Sequence, residues 1–377
     1  MMAPADAVSE QRLLETFLEL VRIDSPSGLE ADVAEYCRVA LTDLGFTVTF
    51  DDTTPVTGSN IGNLLAHRPG MVPGRGLVLS AHMDCVQPCI GVEPVIEAGV
   101  IFSVGETVLG GDDKAGIAVI LEALRRLSER RVPTADVQVI LTVSEEVGLQ
   151  GAKALSPDAV TGDVCLVLDA EGEPGGVVVG APTHYTFEAV FHGQAAHAGV
   201  APEQGKSAIT MAARAVAGMS LGRLDDETTA NIGTFNGGSA TNVVANSARL
   251  TGECRSLDRV RVERVKSAMD GAMRHAAQES GGRVDIEWTK EYEGFRFAED
   301  DPLLGIVESS MRAVGIKPRR FSTGGGSDGS IFFADGVSTL VLSSGLRDVH
   351  SIDESVSLAD MESLTRLLCD VAERLAD

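Results

Sequence analysis

Four short apolar runs in the first half of the chain each end on side chains that hold metals or protons. Residues 77–81 (LVLSA) deliver His82, Met83 and Asp84. Residues 137–143 (VQVILTV) lead to Glu145 and Glu146, and 164–168 (VCLVL) lead to Asp169. Residues 108–111 (VLGG) lead to Asp112 and Asp113 just ahead of a helical stretch. Continuous apolar runs of this length read as buried strands of a parallel sheet. In open α/β sheets the ligand crevice lies outside the carboxyl ends of the strands. The pattern therefore predicts that residues far apart in sequence converge on one site.

Strand and helix alternate up to about Asp169, as a doubly wound sheet requires. Leu13, Leu14, Phe17, Leu18 and Val21 repeat at helical spacing over 9–23. Ser27, followed three residues later by Glu30, reads as a capping box for a second helix that Gly45 closes. From about Ala181 the order changes. Strands at 185–193, 230–236, 248–255 and 283–292, with helices at 206–219 and 259–278, make a split βαββαβ unit, complete in itself. From Gly294 helix and strand alternate again, through a glycine-rich turn at 323–329, a strand at 339–342 and a closing helix at 357–375. The expected fold is an α/β protein: a doubly wound mixed sheet over 1–182 and 294–377, with a ferredoxin-like α+β domain inserted at 183–293.

The chain's 377 residues, 44% of them hydrophobic, can fill two cores. A net charge of −24 disfavours nucleic acid and anionic membranes as partners and favours cations and amine-bearing substrates. Cys37, Cys85, Cys89, Cys165, Cys254 and Cys369 follow no framework spacing and read as reduced thiols. No apolar run approaches the roughly 18 residues of a membrane span, and no basic start leads into an apolar core. A cytoplasmic protein is expected.

Adjacent carboxylates that leave a strand can diverge, so one of Glu145 and Glu146 can bind a metal while the other handles a proton; a solvated acidic turn is the plain alternative. His82, Asp112, Glu146 and Asp169 offer one nitrogen and several oxygens, a donor set suited to zinc or a similar divalent ion. Cys85 and Cys89 lie near His82 in sequence but are not needed as ligands, and packing accounts for them. The run 323–329 (TGGGSDG) lacks the Lys and Ser/Thr ending of a phosphate loop; a turn lining a substrate cleft, with Gly325 and Gly326 against the substrate, is expected instead.

Taken together the motifs resemble the M20 family of metallopeptidases, and within it the peptidase T-like (tripeptide aminopeptidase) branch. They are SAHMD at 80–84, LGGDDKAG at 109–116, SEEVGLQGAK at 144–153, LDAEG at 168–172, HAGVAPEQGKSAI at 197–209, ATNVVANS at 240–247, ECRSLD at 253–258, GGGSDGS at 324–330 and VHS at 349–351. The resemblance implies two zinc ions, with cobalt or manganese as substitutes, that share Asp112. His82 and Asp169 would complete one ion's protein ligands, and Glu146 and His350 the other's. Asp113 is the alternative bridge, and the Asp112–Asp113 peptide is implied to be cis. Asp84 would orient the His82 imidazole, and Glu145 would be the general base.

In the inserted domain, His197 would stabilise the oxyanion, often across a dimer. Asn242 would hold the carbonyl region, and Arg255 would grip a carboxylate, with a plain salt bridge as its alternative. The inserted domain is implied to serve as lid and as homodimer interface. The implied activity is hydrolysis of the N-terminal peptide bond of short peptides, tripeptides above all. An amidohydrolase acting on N-acyl amino acids or dipeptides would use the same site. A non-hydrolytic metal- or nucleotide-binding protein is the reading from another class, and an unligated base at Glu145 speaks against it.

Overall fold

A computed structural model of the chain describes residues 4–376. They form two compact units. The first runs to Val179 and resumes over Phe297–Ser322 and from Ser327; the second comprises Gly180–Arg296 and Thr323–Gly326.

The centre of the first unit is a parallel set in the spatial order Val137–Thr142, Leu77–His82, Val164–Ala170, Thr339–Ser343. Strands Leu64–Arg68 and Thr47–Phe50 extend it antiparallel on one side, and Gly176–Ala181 pairs antiparallel through Val177 and Val178 on the other, so the sheet is mixed. The central strands are buried on both faces because helices cover them, which explains their largely apolar runs. Register sets the site. His82 pairs with Thr142, and Ser80 with Val167, which brings Asp169 level with His82 at the strand ends.

A small four-stranded sheet had no counterpart in the sequence reading. It pairs Leu346–Arg347, Ser355–Ser357, Val100–Ser103 and Pro94–Glu97, and its first two strands hold the loop that carries His350. Strands of two to four residues are too short to show a period.

The capping box is not formed. Helix Ala31–Asp43 starts without a side-chain cap, although Gly45 does follow its end at φ +82°. Ser27 donates instead to Asp84 at 2.6 Å. Glu30, fully buried, accepts from the Gly28 and Ser144 N–H groups and from the Ser59 and Ser144 hydroxyls. Tertiary partners have overridden a local motif.

In the second unit the strands Thr183–His192, Thr228–Gly237, Ser247–Ser256 and Arg283–Tyr292 form an antiparallel sheet under helices Ala208–Ala217 and Arg259–Glu279, the βαββαβ order expected. A short edge strand, Gly222–Asp225, is added to it and covers its neighbour only at Thr228–Ala230. No helix among the described residues is long and apolar enough to cross a membrane.

Candidate metal centre

The strand exits converge within the first unit. His82 Nε2 lies 3.2 Å from Asp112 Oδ1 and 3.7 Å from Asp169 Oδ1. His350 Nε2 lies 3.4 Å from Asp112 Oδ2 and 3.0 Å from Glu146 Oε2. The two oxygens of Asp112 thus face two different histidines. All these side chains are largely buried except His350, which is 53% exposed. The Asp112–Asp113 peptide is cis. Asp113 is also buried within the group: its Oδ1 accepts from Gly116 N–H at 3.2 Å, and donor atoms of His82, Asp113 and Asp169 all lie within 4.8 Å of one another.

Asp84 meets the His82 imidazole with both its main chain and its side chain. The nearer acceptor to His82 Nδ1 is the backbone carbonyl of Asp84, at 2.9 Å, with its carboxylate at 3.5 Å. That carboxylate accepts from the backbone N–H groups of Glu145 (2.9 Å) and Glu146 (3.2 Å) and from Ser27. It therefore also holds the turn from which the two glutamates leave the strand.

Electrostatics follow from packing many carboxylates out of water. Burial, with Asp169 nearby, pushes Glu145 well above the usual carboxylate range; burial and Asp112 do the same to Asp169, and burial to Asp113. Burial also raises Asp328, which accepts from the Thr142 hydroxyl, to about 6. For Asp112, burial is outweighed by the bonds to His350 and His82, so its pKa falls. Hydrogen bonds to Asp112 and Glu146 raise His350 to about 10, and His82 is raised well above its ordinary value against the effect of burial. The carboxylates around them thus favour the charged form of both histidines. Glu146 Oε1 and Asp113 Oδ2 are buried without a hydrogen-bond partner, the signature of oxygens shaped for a ligand. An oxygen-rich set with two imidazoles fits divalent ions of the zinc type. Cys85 and Cys89 are buried thiols outside the ligand groups, Cys85 pushed up to about 11 by burial.

The remaining predicted residues lie in the second unit. His197 and Asn242 are exposed neighbours: His197 bridges to Val243, and Ala198 N–H donates to the Asn242 carbonyl at 2.9 Å. Arg255 is engaged. Its Nε and Nη2 meet Glu253 at 3.2 and 2.9 Å, and Nη1 meets the Tyr292 hydroxyl and the Gly324 carbonyl at 3.3 and 3.2 Å. Glu253 also accepts from His184 at 2.9 Å. Gly326 lies against Tyr292, where a Cβ would come within 2.4 Å of the ring, so packing alone demands glycine there; Gly325 N–H bonds the Thr323 hydroxyl at 3.1 Å.

Sequence reading missed two buried carboxylates around the centre, Glu30 and Glu354. Glu354 accepts from backbone N–H groups more than 240 residues away, and Glu30 from Ser144 and Ser59 as well as its neighbour Gly28, so the long-range bonds leave no local signal.

Comparison with known proteins identifies the family. The model of peptidase family M20/M25/M40 matches residues 78–374. An uncharacterised protein of Bacillus subtilis, YqjE, is 38% identical over 98% of this chain and 100% of its own length. The crystal structure of aminopeptidase PepT from Bacillus cereus superimposes with a TM-score of 0.91 at 40% identity, covering 98% of this chain and 99% of that one. A tripeptidase from Staphylococcus aureus gives 0.93 at 37% identity, covering 97% and 98%. The chain belongs to the M20 peptidase family, in its peptidase T-like branch, and is a metal-dependent exopeptidase.

Proposed function

We propose that this chain is a di-zinc aminopeptidase that removes the N-terminal residue of short peptides, tripeptides above all. The observation that carries the reading is Asp112, whose two oxygens face His82 and His350 separately. His82 and Asp169 would hold one ion, Glu146 and His350 the other, with Asp112 shared; cobalt or manganese could substitute. Bound divalent ions would lower the pKa of a water and polarise the scissile carbonyl.

Glu145 acts as the general base that takes a proton from the attacking water and returns it to the leaving amine. Burial, with Asp169 nearby, raises its pKa in the metal-free chain, and the positive charge of bound ions would bring that pKa down. His197 would donate to the developing oxyanion and Asn242 would hold the carbonyl region. Gly325 and Gly326 would border the peptide, and Arg255 would take its far carboxylate in exchange for Glu253. A homodimer through the inserted unit completes the proposal. Its support is an uncovered strand edge beyond Ala230, with Phe235 at 43% and Ile209 at 39% exposed. A cytoplasmic setting is supported by six free, buried cysteines.

The test is a comparison of an unblocked tripeptide with its N-acetyl form and with N-acetyl amino acids. The free tripeptide should be cleaved after its first residue, and acetylation should slow cleavage more than a change of the first side chain does, because a buried group left unpaired costs more than a lost apolar contact. Faster turnover of the acetylated compounds would replace this reading with the amidohydrolase one.

A further inference from the structure

The loop between the paired strands Leu346–Arg347 and Ser355–Ser357 carries His350 with φ of +52° at Asp348 and +62° at His350. Three of its bonds are internal, from Ser351 Oγ to the Asp348 carbonyl, Asp353 N–H to Ser351 Oγ, and Glu354 N–H to the Ser351 carbonyl, and at its start Asp348 N–H donates to Glu171 Oε1 at 3.1 Å. Glu354 itself reaches out of the loop. Only 1% exposed, its carboxylate accepts from Gly110 N–H at 2.8 Å and from Asp112 N–H at 2.9 Å. Gly110 sits at φ +69° so that the chain can wrap the carboxylate. Between the two donors, a Cβ on Gly111 would stand 2.7 Å from Val356 Cγ2 and 3.1 Å from Glu354 Oε1. The Asp112 turn is thus moulded onto one side chain of the His350 loop.

The opposite flank is built otherwise. His82 and Asp169 belong to adjacent strands of the central sheet, and their separation is set by the ladder. We propose that Glu354 is a positioning residue that ties the His350 loop to the Asp112 turn, and so controls ion capture more on the His350 flank, whose second ligand rides on that loop, than on the His82 flank, where the sheet holds the other ligands. The inference rests on the two-ion reading above.

Titration of the metal-free chain with Zn²⁺ against a competing chelator tests it. Glu354→Gln keeps the shape but turns an amide NH₂ toward a backbone N–H. The first ion should bind within about threefold of wild type, and the second about 10- to 100-fold more weakly, the usual effect of losing a residue that orients a metal ligand. Excess metal should restore turnover with KM for the peptide unchanged. Gly111→Ala, which wedges the same contact apart and keeps the carboxylate, should reproduce the selective loss and serves as the reporter if Glu354→Gln fails to fold. Equal weakening of both ions, or unchanged affinities with only a lower melting temperature of the metal-free chain, would overturn the inference alone. Fewer than two ions on the wild-type chain would overturn the reading beneath it.

Discussion

The two units treat their polar residues in opposite ways. In the first, His82, Asp84, Asp112, Asp113, Glu145, Glu146 and Asp169 are packed out of water against one another. In the second, His197 and Asn242 stand in solvent, and Arg255 is already paired with Glu253. Burying like charges together is unfavourable unless cations offset them, so the first cluster announces a ligand by its own composition. The second group announces nothing by itself; its role depends on what it meets. Substitutions of the ligand residues in the first unit should therefore change metal content, and those in the second should change turnover alone.

The largest effect is expected for Asp112→Ala. Both ions lose their shared ligand, so metal content and hydrolysis should both fall to background; elemental analysis showing two tightly held ions would remove Asp112 from the bridging role. Next come two variants that separate chemistry from metal binding. Glu145→Gln should keep the ions and lose at least about a hundredfold in turnover, the scale of general-base catalysis. His197→Ala should lose roughly a hundredfold as an oxyanion donor is removed, again with full metal content. If His197 acts across a dimer, hybrids of these two variants regain activity, because one site in each then has both groups. No recovery after verified subunit exchange assigns His197 to its own chain's site or to no catalytic part, and metal loss in His197→Ala would break the comparison between units.

The smallest effect is in protons. His350 is raised from 6.5 to about 10 by Asp112 and Glu146. In the metal-free protein its charge therefore stabilises the fold fully below about 6.5, and that contribution is lost as the pH rises through about 10. Ions must displace this proton, so Zn²⁺ binding near neutral pH should release protons, measured calorimetrically in buffers of differing ionisation enthalpy. His350→Gln should release about one fewer. An unchanged count would mean that the imidazole never gives way to an ion.

Much of the centre was legible because sheet geometry maps strand ends onto one place: His82, Asp112, Glu146 and Asp169 needed only apolar runs and the residues that follow them. His350 was legible only through family resemblance, since its loop hangs between strands of two and three residues. Ser27 and Glu30 misled because a local capping pattern was recruited for long-range bonds to Asp84 and Ser144. Asp84 lies beside His82, as its place two residues later in the sequence suggests, and the bonds its carboxylate accepts from the Glu145 and Glu146 N–H groups left no local signal. Glu354 could not be read at all, because an acidic residue in a polar loop carries no mark of the backbone it will hold.

The bond from Glu354 to the Asp112 N–H spans 242 residues. At about 5–20 residues per second of synthesis, the 109–113 turn leaves the ribosome roughly 12 to 48 s before its clamp exists. The inserted unit, continuous over Gly180–Arg296 apart from its last short segment, is made entirely within that interval. A nascent chain therefore contains every residue of the inserted unit before the residue that holds the Asp112 turn has been made.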